Sequence, residues 1–319
     1  MNEILKRRWF LLVLTATLVA GIACGPRLAL FAESIPRNAL IAAVLLAMAL
    51  PLRIDTMWAT LRRPGPALLA VAINLVLVPL LAYAASRLLI DELAVGMIIA
   101  AAVPCTLASA AVWTRLAGGN DAVSLLVTMI TNISCFLVTP AWVRLLVGRS
   151  DDSVPFGDMV VKLLVLVVLP IVAAQLLRLI PAVGHWAAAN KSGLSVFAQL
   201  GILSIVFVGA VRCGQKLVEL DERLAAIWGQ VALMLALVAV VHVAAWWFGY
   251  SIAAKLGMAR AEQLAVAFAG SQKTLMVGLA VALEFGGLAV LPMLAYHVLQ
   301  LLIDTVLADR CRAAPQIRH

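Results

Sequence analysis

The chain has 319 residues, of which 64% are hydrophobic and 13% charged, with a mean hydropathy of +1.07. Soluble domains run at roughly half apolar and a quarter charged, so this composition excludes a soluble globular fold and implies an integral membrane protein. The net charge of +8 does not point to nucleic acid, because Lys and Arg fall in ones to threes between apolar runs, with no basic stripe and no DNA- or RNA-binding motif.

In chain order, Lys6-Arg7-Arg8 precede an apolar run from Trp9 to Cys24. It is longer than the apolar part of a secretory signal and many similar runs follow, so it is taken as the first span. A membrane helix needs roughly 20 apolar residues. The further stretches that qualify are Asn38 to Trp58, Pro66 to Leu89, Leu93 to Ala117, Ala122 to Val147, Met159 to Leu179, Ser192 to Val211, Ala225 to Ala253, Gln263 to Leu283 and Leu288 to Ala308. A polar segment, RSDDSVPFGD, separates the fifth from the sixth. The expected fold is an all-α integral membrane protein of ten transmembrane helices, divided into residues 1–150 and 151–319. Lys and Arg are more numerous on the side that carries both termini, which puts both ends in the cytoplasm of a multi-pass protein of the cell membrane.

The halves echo each other. YAASRLLIDELAVG, from Tyr83, is matched by YSIAAKLGMARAEQLAVA, from Tyr250, each leading from a third span into the fourth of its half. Five spans is an odd number, so the second copy would lie upside down relative to the first, as in the inverted repeats of secondary transporters. Both fourth spans carry a polar break. In the first it is PCTLAS, with Pro104, Cys105, Thr106 and Ser109; in the second it is GSQKT, with Ser271, Gln272, Lys273 and Thr274. Broken backbone is tolerated at membrane depth only where it is buried in protein or lines a cavity, and transporters place substrate and coupling ion there.

A companion face follows on the fifth span, where Thr128 and Asn132 stack four residues apart with Thr131 adjacent. On the third span, Asn74 stands shortly before Pro79. The structural alternative is a healed proline kink with ordinary interhelical hydrogen bonding; taken together, these residues favour a binding site. Cys24, Cys105, Cys135, Cys213 and Cys311 lack CxxC spacing and suggest neither a disulfide framework nor a zinc site.

PCTLASAAVWTRLAGGND, TNISCFLVTP (Thr131 to Pro140) and FAGSQKTL (Phe268 to Leu275) resemble motifs of the SBF-like, or sodium/bile acid cotransporter-like, branch of the bile acid:sodium symporter family. The resemblance implies two inverted five-helix repeats. It also implies a panel domain of helices 1, 2, 6 and 7, and a core domain of helices 3–5 and 8–10 in which unwound helices 4 and 9 cross. It further implies alternating access moving a small organic anion, usually with sodium, and a sodium site to which Asn74, Ser109, Thr128, Asn132 and Gln272 correspond. No other cofactor is implied.

Two departures qualify the mechanism. The glutamate that the resemblance expects on the ninth helix is Phe268, and Gln272 is followed by Lys273. No Asp or Glu lies in the middle of an expected span, and Glu284, Asp304 and Asp309 are near span ends, so a sodium site is expected to have neutral oxygens only. A nearby ammonium would oppose sodium by roughly 4 kcal/mol at 4 Å in an effective dielectric near 20. Lys273 therefore points away, replaces an ion, takes part in proton coupling or supplies a positive charge to the anion; snorkelling to an interface is its bland alternative. The functional expectation is a secondary transporter, not an enzyme, coupled to sodium or to protons. The alternatives are a transporter-like regulator or ligand sensor without transport, and thiol chemistry at Cys105 and Cys135. His242 and His297 are isolated in the sequence and are expected to be satisfied by neighbours rather than catalytic.

Overall fold

The computed structural model describes residues 2–52, 58–147, 155–219 and 224–313. Among them every regular element is helical, and seven helices are long and apolar enough to cross a membrane, or eight if one bent pair counts as a span. The polar segment 149–154, with the boundary between the expected halves, lies outside the described residues, as does Arg53.

The chain opens with α1 (Asn2–Ala23), which turns through 113° into α2 (Gly25–Ser34). Pro26 explains the restart, since proline fits the first turn of a helix but not its interior. This short α2 was not expected. α3 (Arg37–Ala49) stops well short of the expected Trp58, before Pro51, and α4 is Trp58–Leu61. At 1.5 Å per residue, a helix of 13 residues covers about 20 Å, so α3 taken alone accounts for about two thirds of a hydrocarbon core of about 30 Å.

The third expected span is α5 (Gly65–Ala72), a π segment (Ile73–Leu77) and α6 (Val78–Ser86). The same device recurs where α10 (Phe156–Leu163) passes through a π segment (Leu164–Val168) into α11 (Leu169–Arg178), each time just before a proline. The fourth span is α7 (Asp91–Ala102) and α8 (Ser109–Leu116), separated by non-helical chain, and α9 (Asp121–Val147) is continuous through Pro140. After α12 (Pro181–Ala189) come two long helices, α13 (Lys191–Glu219) and α14 (Leu224–Lys255). The ninth span is α15 (Arg260–Ser271) and α16 (Leu275–Ala282), again interrupted, and α17 (Val290–Ala313) closes the fold.

Burial says where the centre is. The apolar window of Arg260–Ala282 is 100% buried, against 28% for Ile227–Lys255. α15 and α16 are therefore the axis around which the others pack, with α14 alongside α15 and α17 against α14 and α7. Small residues allow the close approaches: a Cβ on Gly96 of α7 would collide with the Ala289 carbonyl just before α17, and one on Gly214 of α13 with the Ile22 carbonyl of α1.

Candidate functional site at two meeting helix breaks

The break between α7 and α8 follows from Pro104, which forces the residue before it into extended backbone; Val103 has ψ 159°. Five successive carbonyls are thereby left without helical donors, and each finds one elsewhere. Thr139 Oγ1 donates to Ala102 O at 2.9 Å, Lys273 Nζ to Val103 O at 3.0 Å, and the Thr274 amide to Pro104 O at 2.9 Å. Asn132 Nδ2 donates to Cys105 O at 2.8 Å and Thr128 Oγ1 to Thr106 O at 2.9 Å. The Cys105 amide donates to Thr131 Oγ1 at 3.2 Å, and Thr106 Oγ1 accepts the Ala110 amide at the start of α8.

The break between α15 and α16 is satisfied in the same way. Asn74 Nδ2 lies at 3.1, 3.2 and 2.9 Å from the carbonyls of Ala269, Gly270 and Gln272. Ser271 O accepts from Tyr296 OH at 2.9 Å, and Gln300 brackets Lys273 by bonding both its amide and its carbonyl at 2.9 Å. The two breaks touch directly through Thr274 N and Pro104 O, and through Gln272, whose Oε1 accepts from Thr106 Oγ1 at 2.7 Å and Ser109 Oγ at 2.8 Å.

Lys273 does not snorkel. Its side chain is fully buried, and its ammonium donates to Asn74 O at 2.6 Å, Asn74 Oδ1 at 3.1 Å and Val103 O. The reason Asn74 O is available lies in the π segment. The Val78 amide bonds Ile73 O instead of Asn74 O, and Pro79, next in line, has no N–H to give. Leu75 O, which Pro79 also leaves without its helical donor, accepts from Trp142 Nε1 at 2.7 Å.

All twelve residues singled out in the sequence lie at or beside this junction. Ser271 and Thr274 contribute backbone groups to it; the Ser271 hydroxyl turns back to Phe268 O. Of the expected sodium ligands, Gln272 bonds Ser109 and receives Asn74, while Thr128 and Asn132 hold the α7–α8 break. Asn132 Oδ1 is buried with no hydrogen-bond partner among the described residues. Cys105 and Cys135 are buried free thiols, and the Cys105 sulfur lies 3.8 Å from Thr128 Oγ1.

One expectation is corrected. The junction does carry a carboxylate: Asp304 is fully buried, with Oδ2 2.5 Å from Gln272 Nε2 and Oδ1 2.9 Å from His242 Nε2. His242 also places Nδ1 3.3 Å from Ser271 O, so the ring is satisfied by its neighbours, as expected. Asp304 reads as terminal only if the last span stops at Ala308; the helix continues to Ala313. The available signal was spacing, since Tyr296, Gln300 and Asp304 recur every four residues and so share one helical face.

Beside the junction, Phe268 sits in a small aromatic cluster with Trp113, Trp246 and Tyr250. Trp246 stacks on Tyr250 at 5.5 Å and meets Phe268 edge-on at 5.8 Å. The indole nitrogens of Trp113 and Trp246 are buried with no acceptor among the described residues. Ala108 and Ser109 form the more exposed edge of the junction.

Residues 8–313 match the SBF-like CPA transporter family. The chain belongs to that family. It is 29% identical over 255 residues to an uncharacterized protein of Pseudomonas aeruginosa, covering 76% of this chain and 74% of that one. It is also 29% identical to a probable sodium/metabolite cotransporter of Arabidopsis thaliana chloroplasts, covering 68% and 52%, and 26% identical to the rat sodium/bile acid cotransporter 7, covering 66% and 62%. The chain thus spans less than two thirds of these last two relatives. With its apolar helices, membership makes it a multi-pass membrane protein of a transporter family.

Proposed function

We propose that the chain is a secondary active transporter moving a small organic anion across the cytoplasmic membrane by alternating access, coupled to sodium or to protons. The observation that carries this reading is the contact between two interrupted helices, at Thr274 N to Pro104 O and at Gln272 to Thr106 and Ser109. The polar groups left over nearby support both halves of the cargo. Among the described residues two buried indole N–H groups lack acceptors and would suit an anion, while the buried Asn132 Oδ1 lacks a donor and would suit a cation. Sodium is carried as the coupling ion by the names of the relatives, with Asn74, Ser109, Thr128, Asn132 and Gln272 as its expected surroundings.

On this reading the fold is ten spans in two inverted five-helix repeats, with both termini cytoplasmic. The count takes α3 and the broken α7–α8 as spans beyond the eight reached by length and composition. Interrupted helices at the fourth and ninth places support the repeat. The test is uptake of labelled taurocholate and pyruvate into proteoliposomes, with sodium and pH gradients varied separately. Gradient-driven uptake is expected. Ligand-induced thermal stabilisation without uptake of any anion would favour a sensor or regulator instead.

A further inference from the structure

Two groups of helices meet along a seam that passes the junction. In the first group α13 packs against α1, α2 and α3, and α3 against α11 and the π segment that continues α10. The second group holds the breaks themselves, with α7, α15, α16 and α17. At one end of the molecule three polar links cross from the first group to the second. Lys162 of α10 pairs with Glu284, just beyond α16. Lys216 of α13 lies 3.9 Å from Glu92 at the start of α7, and Arg212 of α13 donates to Leu283 O at 2.9 Å. Small residues bring the same surfaces together: a Cβ on Gly209 would press on Val290, and one on Gly287 would meet the Arg212 carbonyl.

The junction is shut off from this end. Residues 96–107 and 272–283, which lie between the linked end and the junction, are buried throughout. The exposed edge at Ala108 and Ser109 opens instead onto α8, which runs the opposite way toward Arg115. With both termini cytoplasmic, as read above, the links lie at the outer end.

Each of the three cations also has a second carboxylate on its own side of the seam. Lys216 lies 3.3 Å from Glu219, three residues along α13. Lys162 follows Asp158 by four residues on α10, a spacing that puts both on one helix face. Arg212 lines a small hollow together with Glu33 of α2, Arg37 of α3 and Gln215. Across the seam, Glu92 Oε2 already accepts the Leu288 amide at 3.2 Å, and Glu284 is exposed. Parting the seam therefore exchanges each link for a local partner or for water and strands none of these charges. The four paired side chains are 22 to 41% exposed, and ion pairs so open to water contribute little net stability. They suit contacts that are made and broken in every cycle.

We propose that Lys162–Glu284, Lys216–Glu92 and Arg212–Leu283 O form the outer gate of the transport path, closed in this structure, and that the three cations change partners when it opens; the inference rests on the transport reading above. Opening moves Glu92 and Glu284 away with the helices of the junction, while Lys162, Arg212 and Lys216 stay behind with α10 and α13. One wall of the open mouth then carries the cations and the other the carboxylates.

Val290 is fully buried beside Gly209, so a cysteine there reports on the seam. In intact cells Val290→Cys is expected to react slowly with a membrane-impermeant maleimide, measured against the protein with its native cysteines alone. Adding Glu92→Gln and Glu284→Gln removes two exposed pairs and is expected to raise that rate about tenfold. In proteoliposomes, Lys162→Cys with Glu284→Cys, joined by a short bis-methanethiosulfonate, is expected to lose uptake of taurocholate and pyruvate and to regain it on reduction. A labelling rate that the two glutamine substitutions leave unchanged overturns the proposal, as does a cross-linked protein that transports at the rate of the reduced one. Failure of the transport reading looks different: labelling rises when the carboxylates are neutralised, which supports the latch, while neither anion enters with or without the cross-link.

Discussion

Asn74→Ala tests whether the two breaks are held by the residues described. The amide shares two N–H groups among the carbonyls of Ala269, Gly270 and Gln272, and its oxygen accepts from Lys273 Nζ. Removing it therefore cancels three hydrogen-bonding relationships. Inside membrane proteins such bonds average about 0.6 kcal/mol and reach about 1.7 kcal/mol, so the expected loss is about 2 to 5 kcal/mol. A loss of 1 kcal/mol lowers the melting temperature of a domain of 150–250 residues by roughly 2–4 °C, so a fall of about 4–20 °C is expected here. The assay is thermal unfolding in detergent followed by size-exclusion chromatography, with Asn190→Ala as control. The Asn190 side chain bonds the exposed Trp186 carbonyl four residues earlier, and its loss should cost less than about 0.5 kcal/mol. The double variant with Lys273→Met should be less destabilised than the sum of the singles, because the residues share a bond. An Asn74→Ala protein that melts with the parent, or strict additivity with Lys273→Met, would refute this account of the junction.

Lys273→Met should abolish anion uptake while leaving a monodisperse protein; uptake at the parent rate would show that the ammonium has no part in transport. Gly96→Leu drives a side chain into the Ala289 carbonyl and should cost about 1–3 kcal/mol or more, read as lower yield and melting temperature. Cys105→Ala should retain uptake, since the thiol's hydrogen bond from Thr128 is long, at 3.8 Å; loss of uptake with unchanged stability would revive a role for sulfur chemistry. Gln272→Leu severs the link from Asp304 to Thr106 and Ser109 and should eliminate uptake without moving the melting temperature by more than Asn74→Ala does.

The breaks were legible because their causes are local. Pro104 dictates the conformation of Val103, and a polar GSQKT run inside an apolar span has to find partners. Lys273 was legible as an anomaly, but its partners were not. They depend on a π turn whose effect is to free one particular carbonyl, and no periodicity announces that. Asp304 was missed because its environment comes from His242 and Gln272, 62 and 32 residues away. The shortening of α3 had a local cause in Pro51 that the apolar run obscured.

The carbonyls from Ala102 to Thr106 are served one apiece by donors from two places, α9 and the chain between α15 and α16. Sliding α7 past either neighbour would forfeit several of these bonds together, with no replacement partners in an anhydrous interior. The fourth, fifth and ninth spans are thus welded into one block, and any large displacement during a working cycle has to be taken up at seams outside it.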